Sequence, residues 1–336
     1  MHDDHLKFWK TDRPVFTRAL PSRDLFVPAR LRPTLDRCAA LARSGAGLIT
    51  VTGEPGAGKT TILRWLFDTL PTESHEVLLT TMIQRERASG WLLPRLAELL
   101  GLDATAAPHQ RLQAIATRLD DFAAEKRHLV LIIDAAHLSE TAAALEDVSA
   151  LLNLHALGGN GLTIVLAGNE TLLDAVAKTP DLASKAAMAL KLTCMTREET
   201  GAYVLHRIKC AGVQTTFAAE ALDAVHVRSR GLPATVNHLC ENVLYEAFLR
   251  QTTAISAEIV LAAGAHLGRA TPQAGQTAPV DESVMPLKVA AGDPELPPLP
   301  KHTPKPNDTK PPETRQESAS IKLTSLFKSD PGRSQS

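Results

Sequence analysis

The chain has 336 residues, 44% of them hydrophobic and 22% charged, which is enough apolar material for one large core or two smaller ones. Lys and Arg number 36 and Asp and Glu 37, a net charge of −1, so no global basic field draws the protein onto nucleic acid or anionic lipid. No apolar run approaches the ~20 residues of a transmembrane helix, and no membrane-spanning segment is expected.

In chain order, the first strong pattern is an apolar β-branched strand over residues 48–52. It runs into Gly53-Glu54-Pro55-Gly56-Ala57-Gly58-Lys59-Thr60-Thr61 and then a helix beginning Ile62-Leu63-Arg64-Trp65. The segment fits G-x-x-x-x-G-K-[ST] between strand and helix. Its glycines let successive backbone N–H groups curl toward phosphates. Lys59 reaches the β- and γ-phosphates and the Thr60 hydroxyl can hold Mg²⁺. Residues 53–61 are therefore the expected cradle for ATP or GTP.

Further strands are expected over 77–81, 129–134, 162–167 and 189–192. Helices over 91–100, 110–124 and 142–154 lie between them. That alternation implies an α/β fold with a parallel sheet and helices on both faces. The apolar strand Leu129-Val130-Leu131-Ile132-Ile133 ends on Asp134, some 75 residues after Lys59. That placement makes Asp134 the expected metal-side acid, holding Mg²⁺ together with Thr60. Hydrolysing enzymes of this class follow the acid with a Glu that polarises water. Here Ala135 follows, ahead of Ala136 and His137, and loss of a positioned base costs ~10²–10⁴-fold in rate. The next strand ends in Gly168-Asn169, and Asn169 is the candidate catalytic amide, orienting water or touching the γ-phosphate.

From Thr196 the pattern turns all-helical, over 197–210, 218–228, 233–249 and 257–266. A helical unit after an α/β nucleotide domain is a lid arrangement. Three parts are expected: a nucleotide domain (1–195), a helical lid (196–268) and a Pro-rich tail (269–336). The tail cannot bury enough apolar surface to offset ordering entropy and reads as disordered. It holds one apolar island, Ile321, Leu323, Leu326 and Phe327, suited to a short partner-binding motif.

Other residues read more plainly. Cys38, Cys194, Cys210 and Cys240 lack C-x-x-C spacing and read as core thiols of a reducing compartment. The polar start Met1-His2-Asp3-Asp4-His5 argues against a signal peptide, so a cytoplasmic location is expected. Phe8, Trp9 and Phe16 are expected in a core, with packing on an adenine ring or on the edge of the nucleotide domain as the other options. Lys209, Arg228 and Arg230 are expected on a solvated face.

Taken together, these segments resemble the AAA+ ATPases of the general secretion pathway protein A (ExeA-like) type. That group is close to the transposition ATPases of the TniB and MuB kind. The resemblance spans about Leu6 to Leu267. It rests on Lys7-Phe8-Trp9, the phosphate loop, Ile132-Ile133-Asp134, Leu166-Ala167-Gly168-Asn169, Tyr203-Val204-Leu205-His206-Arg207-Ile208 and Gly231-Leu232-Pro233-Ala234-Thr235-Val236-Asn237.

The resemblance implies an ATP-binding, self-associating protein of a bacterial cell-envelope machine for secretion, pilus or polysaccharide export. It also marks departures. The family has Glu where this chain has Ala135. It has a γ-phosphate-contacting Arg in its lid motif where this chain has Ala234. Many members carry an Arg before the fifth strand that reaches a neighbouring subunit's nucleotide, for which Lys185 is the nearest counterpart. Lys lacks the planar fork of Arg, and an arginine finger is worth ~10³–10⁵ in rate. Binding positions are kept while catalytic ones are lost, unless Glu170 or Arg228 substitutes. The expected role is a nucleotide-dependent scaffold impaired in hydrolysis. The alternatives are a DNA-binding regulator of the transposition type and an active ATPase remodeller. Secretion-pathway A proteins usually continue into a membrane span and a cell-wall-binding domain. A polar tail in that place argues against direct envelope remodelling. The partners expected are a second copy of the chain and a protein recruited by the tail, with nucleic acid not favoured.

Overall fold

A computed structural model describes residues 2–17, 21–81, 90–134, 142–158 and 161–265. The chain divides into two units, Met1–Thr271 and Pro272–Ser336, and the account below is of the first. The tail and its island at 321–328 lie outside the described residues, as do Ala135 and His137.

Strands β1 (Gly47–Gly53), β2 (His75–Thr81), β3 (His128–Asp134), β4 (Leu162–Gly168) and β5 (Ala186–Leu192) form one parallel sheet in the order β2-β3-β4-β1-β5. Every position of β1 and β4 is buried. That is why they read as unbroken apolar runs rather than alternating ones. Successive side chains still divide between the faces. Leu129, Leu131 and Ile133 enter one core with Leu48 and Leu166, while Val130 and Ile132 enter the other with Ile49 and Val51. Helices α4 (Leu92–Leu99), α5 (Pro108–Ala124) and α6 (Ala142–Gly158) cover the first face. The short α7 (Thr171–Ala177) and α8 (Pro180–Lys185) complete it. Helices α2 (Arg32–Arg43) and α3 (Lys59–Thr69) cover the second. The fold is the expected α/β P-loop architecture with helices on both faces. Strand β5 starts three residues before the expected 189. Its Ala186-Ala187-Met188 start lies on a sheet edge and is not fully buried, so it carries little pattern.

The helical part expected as a lid comprises α9 (Arg197–Ala211), α10 (Ala219–Ser229), α11 (Pro233–Leu249) and α12 (Ala257–Ala265). A two-residue parallel pair, β6 (Thr216–Phe217) with β7 (Ala254–Ile255), ties two of its connections. Its first helix opens with a capping box: Thr196 Oγ1 accepts from the Glu199 N–H, and the Thr196 N–H donates to Glu199 Oε2 at 2.9 Å.

The N-terminal arm packs in the lid's core. In α1 (His2–Trp9), Trp9 is buried and its Nε1 donates to the Leu244 carbonyl at 3.2 Å. Val15 and Phe16 join Val204, Ile208 and Val236 in one apolar cluster. The buried Arg207 fixes the arm by donating to the Val15 and Thr17 carbonyls at 2.8 and 2.6 Å and to the Tyr203 hydroxyl at 2.8 Å. Its guanidinium also lies 5.5 Å from the Phe16 ring centroid, a cation–π distance. One sequence expectation is corrected here. Cys38 and Cys240 are buried, but Cys194 is half-buried and Cys210 is exposed, so not all four are core thiols. Both buried thiols sit above the usual range through burial, Cys38 at about 11.

Candidate functional site

In an open parallel sheet, ligands gather at the carboxyl ends of the strands where strand order reverses. Here β1 turns into the loop 53–58 between β4 and β5, and α3 leaves from it. Gly53, Gly56 and Gly58 all take positive φ, the curl expected of a phosphate cradle. Glu54, Pro55 and Gly56 are exposed at its rim, Ala57 and Gly58 are half-buried, and Thr60 and Thr61 are exposed on the first turn of α3. Among the described residues nothing lies within 4 Å of where a Gly58 Cβ would stand.

Lys59 is only 9% exposed and folds back over the loop. Its Nζ donates to the Gly53 carbonyl at 2.8 Å and to the Glu54 carbonyl at 3.1 Å. Burial lowers the affinity of its ammonium for the proton, and the Asp134 carboxylate opposes that shift. Thr60 Oγ1 donates to Asp134 Oδ2 at 2.5 Å, so the hydroxyl and carboxylate singled out from the sequence touch. Two adjacent hard oxygens suit Mg²⁺, which binds through one or two protein ligands and keeps several waters.

Asn169 follows β4, whose Gly168 pairs with Thr52 of β1. It is half-buried, and its Oδ1 accepts from Thr171 Oγ1 at 2.6 Å while its carbonyl accepts from the Leu172 N–H. The side chain thus takes part in the start of α7. Both suggested substitutes are exposed. Glu170 pairs with Lys191 at 2.9 Å, and the exposed Arg228 lies along Gly264 of α12. Lys185 closes α8 and donates to Asn153 Oδ1 of α6. Lys209 and Arg230 are exposed, as expected.

Two features escaped the sequence reading. Arg30, just before α2, donates to Glu199 through Nε at 2.7 Å and Nη2 at 3.1 Å. It also reaches Thr193 Oγ1 and the Cys194 carbonyl, so one side chain clamps the β5–α9 connection to the lid's first turn. An isolated Arg after Pro28-Ala29 carries no motif that could have announced this. The second is that the lid touches the loop itself: the Ala234 N–H donates to the Gly56 carbonyl at 3.1 Å. Gly231 must be glycine for a related reason. At φ +71°, a Cβ there would lie 2.1 Å from the Met195 carbonyl oxygen, and the Met195 N–H bonds to the Gly231 carbonyl at 2.9 Å.

Residues 42–176 match the AAA domain family. General secretion pathway protein A of Aeromonas hydrophila is 29% identical over 252 residues, which is 73% of this chain and 45% of that protein. The chain therefore spans about half the length of this relative. Among solved structures, the Aeropyrum pernix ORC2 protein in its ADPNP-ADP complexes superposes with a TM-score of 0.61. It is 18% identical, with 78% of this chain and 73% of that chain covered. Drosophila ORC bound to DNA gives 0.57 at 18% identity, covering 76% and 64%. The Thermotoga maritima RuvB Holliday junction branch migration motor gives 0.51 at 18% identity, covering 76% and 74%. At these identities the structural likeness speaks to fold alone. With a glycine loop at the switch point of its parallel sheet, the chain carries an AAA+ P-loop fold, and its sequence is similar to that of general secretion pathway protein A.

Proposed function

We propose that the chain binds ATP with Mg²⁺ between residues 53–61 and Asp134 and works as a nucleotide-dependent accessory protein of a bacterial cell-envelope machine. The observation that carries this reading is the convergence of Lys59, Thr60 and Asp134 at the open loop. Lys59 would exchange its two loop carbonyls for phosphate oxygens. The backbone N–H groups of 56–60 would face the phosphates. Thr60 and Asp134 would hold the ion, whose charge offsets that of the β- and γ-phosphates.

Hydrolysis is slow in this reading because the group next to Asp134 is the methyl of Ala135. Glu170 does not substitute while it pairs with Lys191. Bound triphosphate then persists and favours self-association, making the protein a switchable scaffold. The envelope role follows the similarity to the Aeromonas protein. The machine reaches the site through the tail, and among the described residues no helix is long and apolar enough to cross a membrane.

The test is ATP binding and turnover measured side by side on the full chain and on Ala135→Glu. Tight binding with turnover far below ~10 s⁻¹, the median for enzymes, and a rise in the Glu variant are expected. A parent that turns over at that median rate refutes the slow-hydrolysis reading. A parent that binds no nucleotide refutes the whole proposal.

A further inference from the structure

We propose that the pocket between the N-terminal arm and α9 is a second ligand site, taking a small organic polyanion that carries carboxylate or phosphate groups. None of its residues belongs to the loop 53–61, so the proposal stands apart from the nucleotide reading.

Helix α1 ends at Trp9, and the chain turns at Lys10, whose φ of +55° is a left-handed conformation uncommon outside glycine. The Lys10 and Thr11 N–H groups close that turn on the Lys7 and Leu6 carbonyls at 3.1 and 3.0 Å. The segment from Lys10 to Thr17 then encloses, with Arg207, Cys210 and Ala211 of α9, a cavity of about 410 Å³. Small-molecule sites span ~300–1,000 Å³.

The charges around the cavity are unbalanced. Lys10, Arg13 and Arg207 line it against one carboxylate, Asp12. Lys10, Asp12 and Arg13 are exposed, whereas Arg207 is only 2% exposed. A buried charge is ordinarily matched by an opposite one. Four of the five guanidinium N–H groups are used here, and each of their acceptors is uncharged: the Tyr203 hydroxyl, Asn237 Oδ1, and the Val15 and Thr17 carbonyls. Glu241 of α11 is turned to the arm's backbone, accepting from the Phe16 N–H at 2.9 Å. The fifth donor, Arg207 Nε, has no partner among the described residues, and neither has the buried Thr11 Oγ1 on the same pocket. Buried polar atoms are ordinarily satisfied, by a bound group where the protein supplies none. Both leftover groups can donate, so the group that completes this wall is an acceptor. An anion lodged there meets the cations of the arm and of α9 together and fastens residues 10–17 to that helix.

Cys210 is exposed and lines the pocket, so its thiol reports occupancy. The experiment follows alkylation of Cys210 by iodoacetamide, a neutral reagent, by peptide mass on the full chain. Citrate and pyrophosphate are the probes, with sodium chloride at matched ionic strength as control. Lys59→Met is run beside the parent, so that pyrophosphate on the loop 53–61 cannot account for the result. A probe at about ten times its Kd should slow alkylation about tenfold, since only the empty site reacts. Protection by citrate alone assigns the site to carboxylates, and by pyrophosphate alone to phosphates. Lys10→Gln with Arg13→Gln should weaken the protecting probe about tenfold, and Asp12→Asn should strengthen it about threefold. Asp12→Asn decides alone if the double variant does not fold. The proposal is overturned by no protection from either probe, by equal protection from chloride, or by equal probe affinity in the parent and the charge variants.

Discussion

Replacing Lys59 by Met separates its structural from its ligand role, because the two carry opposite signs. In the nucleotide-free protein the ammonium makes two carbonyl bonds at 2.8 and 3.1 Å while only 9% exposed. Hydrogen bonds to a charged group contribute ~1.5–3 kcal/mol each. Removing an ammonium from water costs several kcal/mol, and the lowered proton affinity of Lys59 through burial is the sign of that cost. The terms nearly cancel, and Met is close in volume. The melting point should therefore move by no more than ~2–4 °C, the equivalent of about 1 kcal/mol. Nucleotide affinity should fall about 10- to 150-fold, since one charge-assisted contact to the phosphates is lost. Bound phosphates favour the ammonium, so its proton affinity is higher with nucleotide than without. The contribution of Lys59 to binding is full below the proton affinity of the free site and is lost as pH rises through that of the bound site. Parent affinity should weaken toward alkaline pH through this group, and that component should be absent in Lys59→Met. Calorimetry and a fluorescent ATP analogue across pH provide the assay. Undiminished binding by the variant would refute the role of Lys59 as a phosphate ligand. A loss of more than ~3 kcal/mol in stability would instead make it a structural staple of the loop.

Saturating ATP should shift sedimentation of the full chain toward a larger species, because a ligand that binds the assembled state better shifts the population toward it; an unchanged monomer at micromolar protein contradicts this. The Leu326→Ala, Phe327→Ala double variant should keep ATP binding and lose partner capture from its native host, and an unchanged partner set would make the island incidental. Asp147, on α6, has a buried Oδ2 without a hydrogen-bond partner among the described residues, and burial raises its pKa against the opposing Leu92 backbone N–H. The folded state thus holds the proton more tightly than the unfolded one. The cost of the carboxylate is absent in acid and sets in as pH rises through the folded pKa. Asp147→Asn should melt higher than the parent near pH ~7 and equally near pH ~3, below the ordinary Asp range; a variant that melts lower at neutral pH would show the carboxylate to be stabilising.

The nucleotide half was legible because its signals are local. Strands β1, β3 and β4 are buried on both faces, and such strands must be apolar along their length. The phosphate loop is legible because the curl that exposes N–H groups requires glycines at fixed spacing. Asp134 was legible as a carboxylate closing an apolar strand, and it meets Thr60. Asn169 was legible in position only. Its engagement with Thr171 depends on where α7 begins, and that short helix carries little pattern.

Sequence by itself placed the central strands and the longer helices, with a glycine loop and a closing carboxylate at their ends, since periodicity and turn chemistry act within a few residues. Tertiary structure alone decided the strand order β2-β3-β4-β1-β5, which brings Gly168 beside Thr52. It decided that the N-terminal arm lies in the lid's core, held by carbonyl bonds from Arg207. It also decided that Arg30 clamps the β5–α9 connection, that Cys210 faces solvent, and that Ala234 rests on Gly56. The Arg207 and Ala234 contacts are made to backbone carbonyls, groups common to every residue, and the Arg30–Glu199 ion pair joins residues far apart in the chain, so nothing local marks these partners as pairs until the chain has folded.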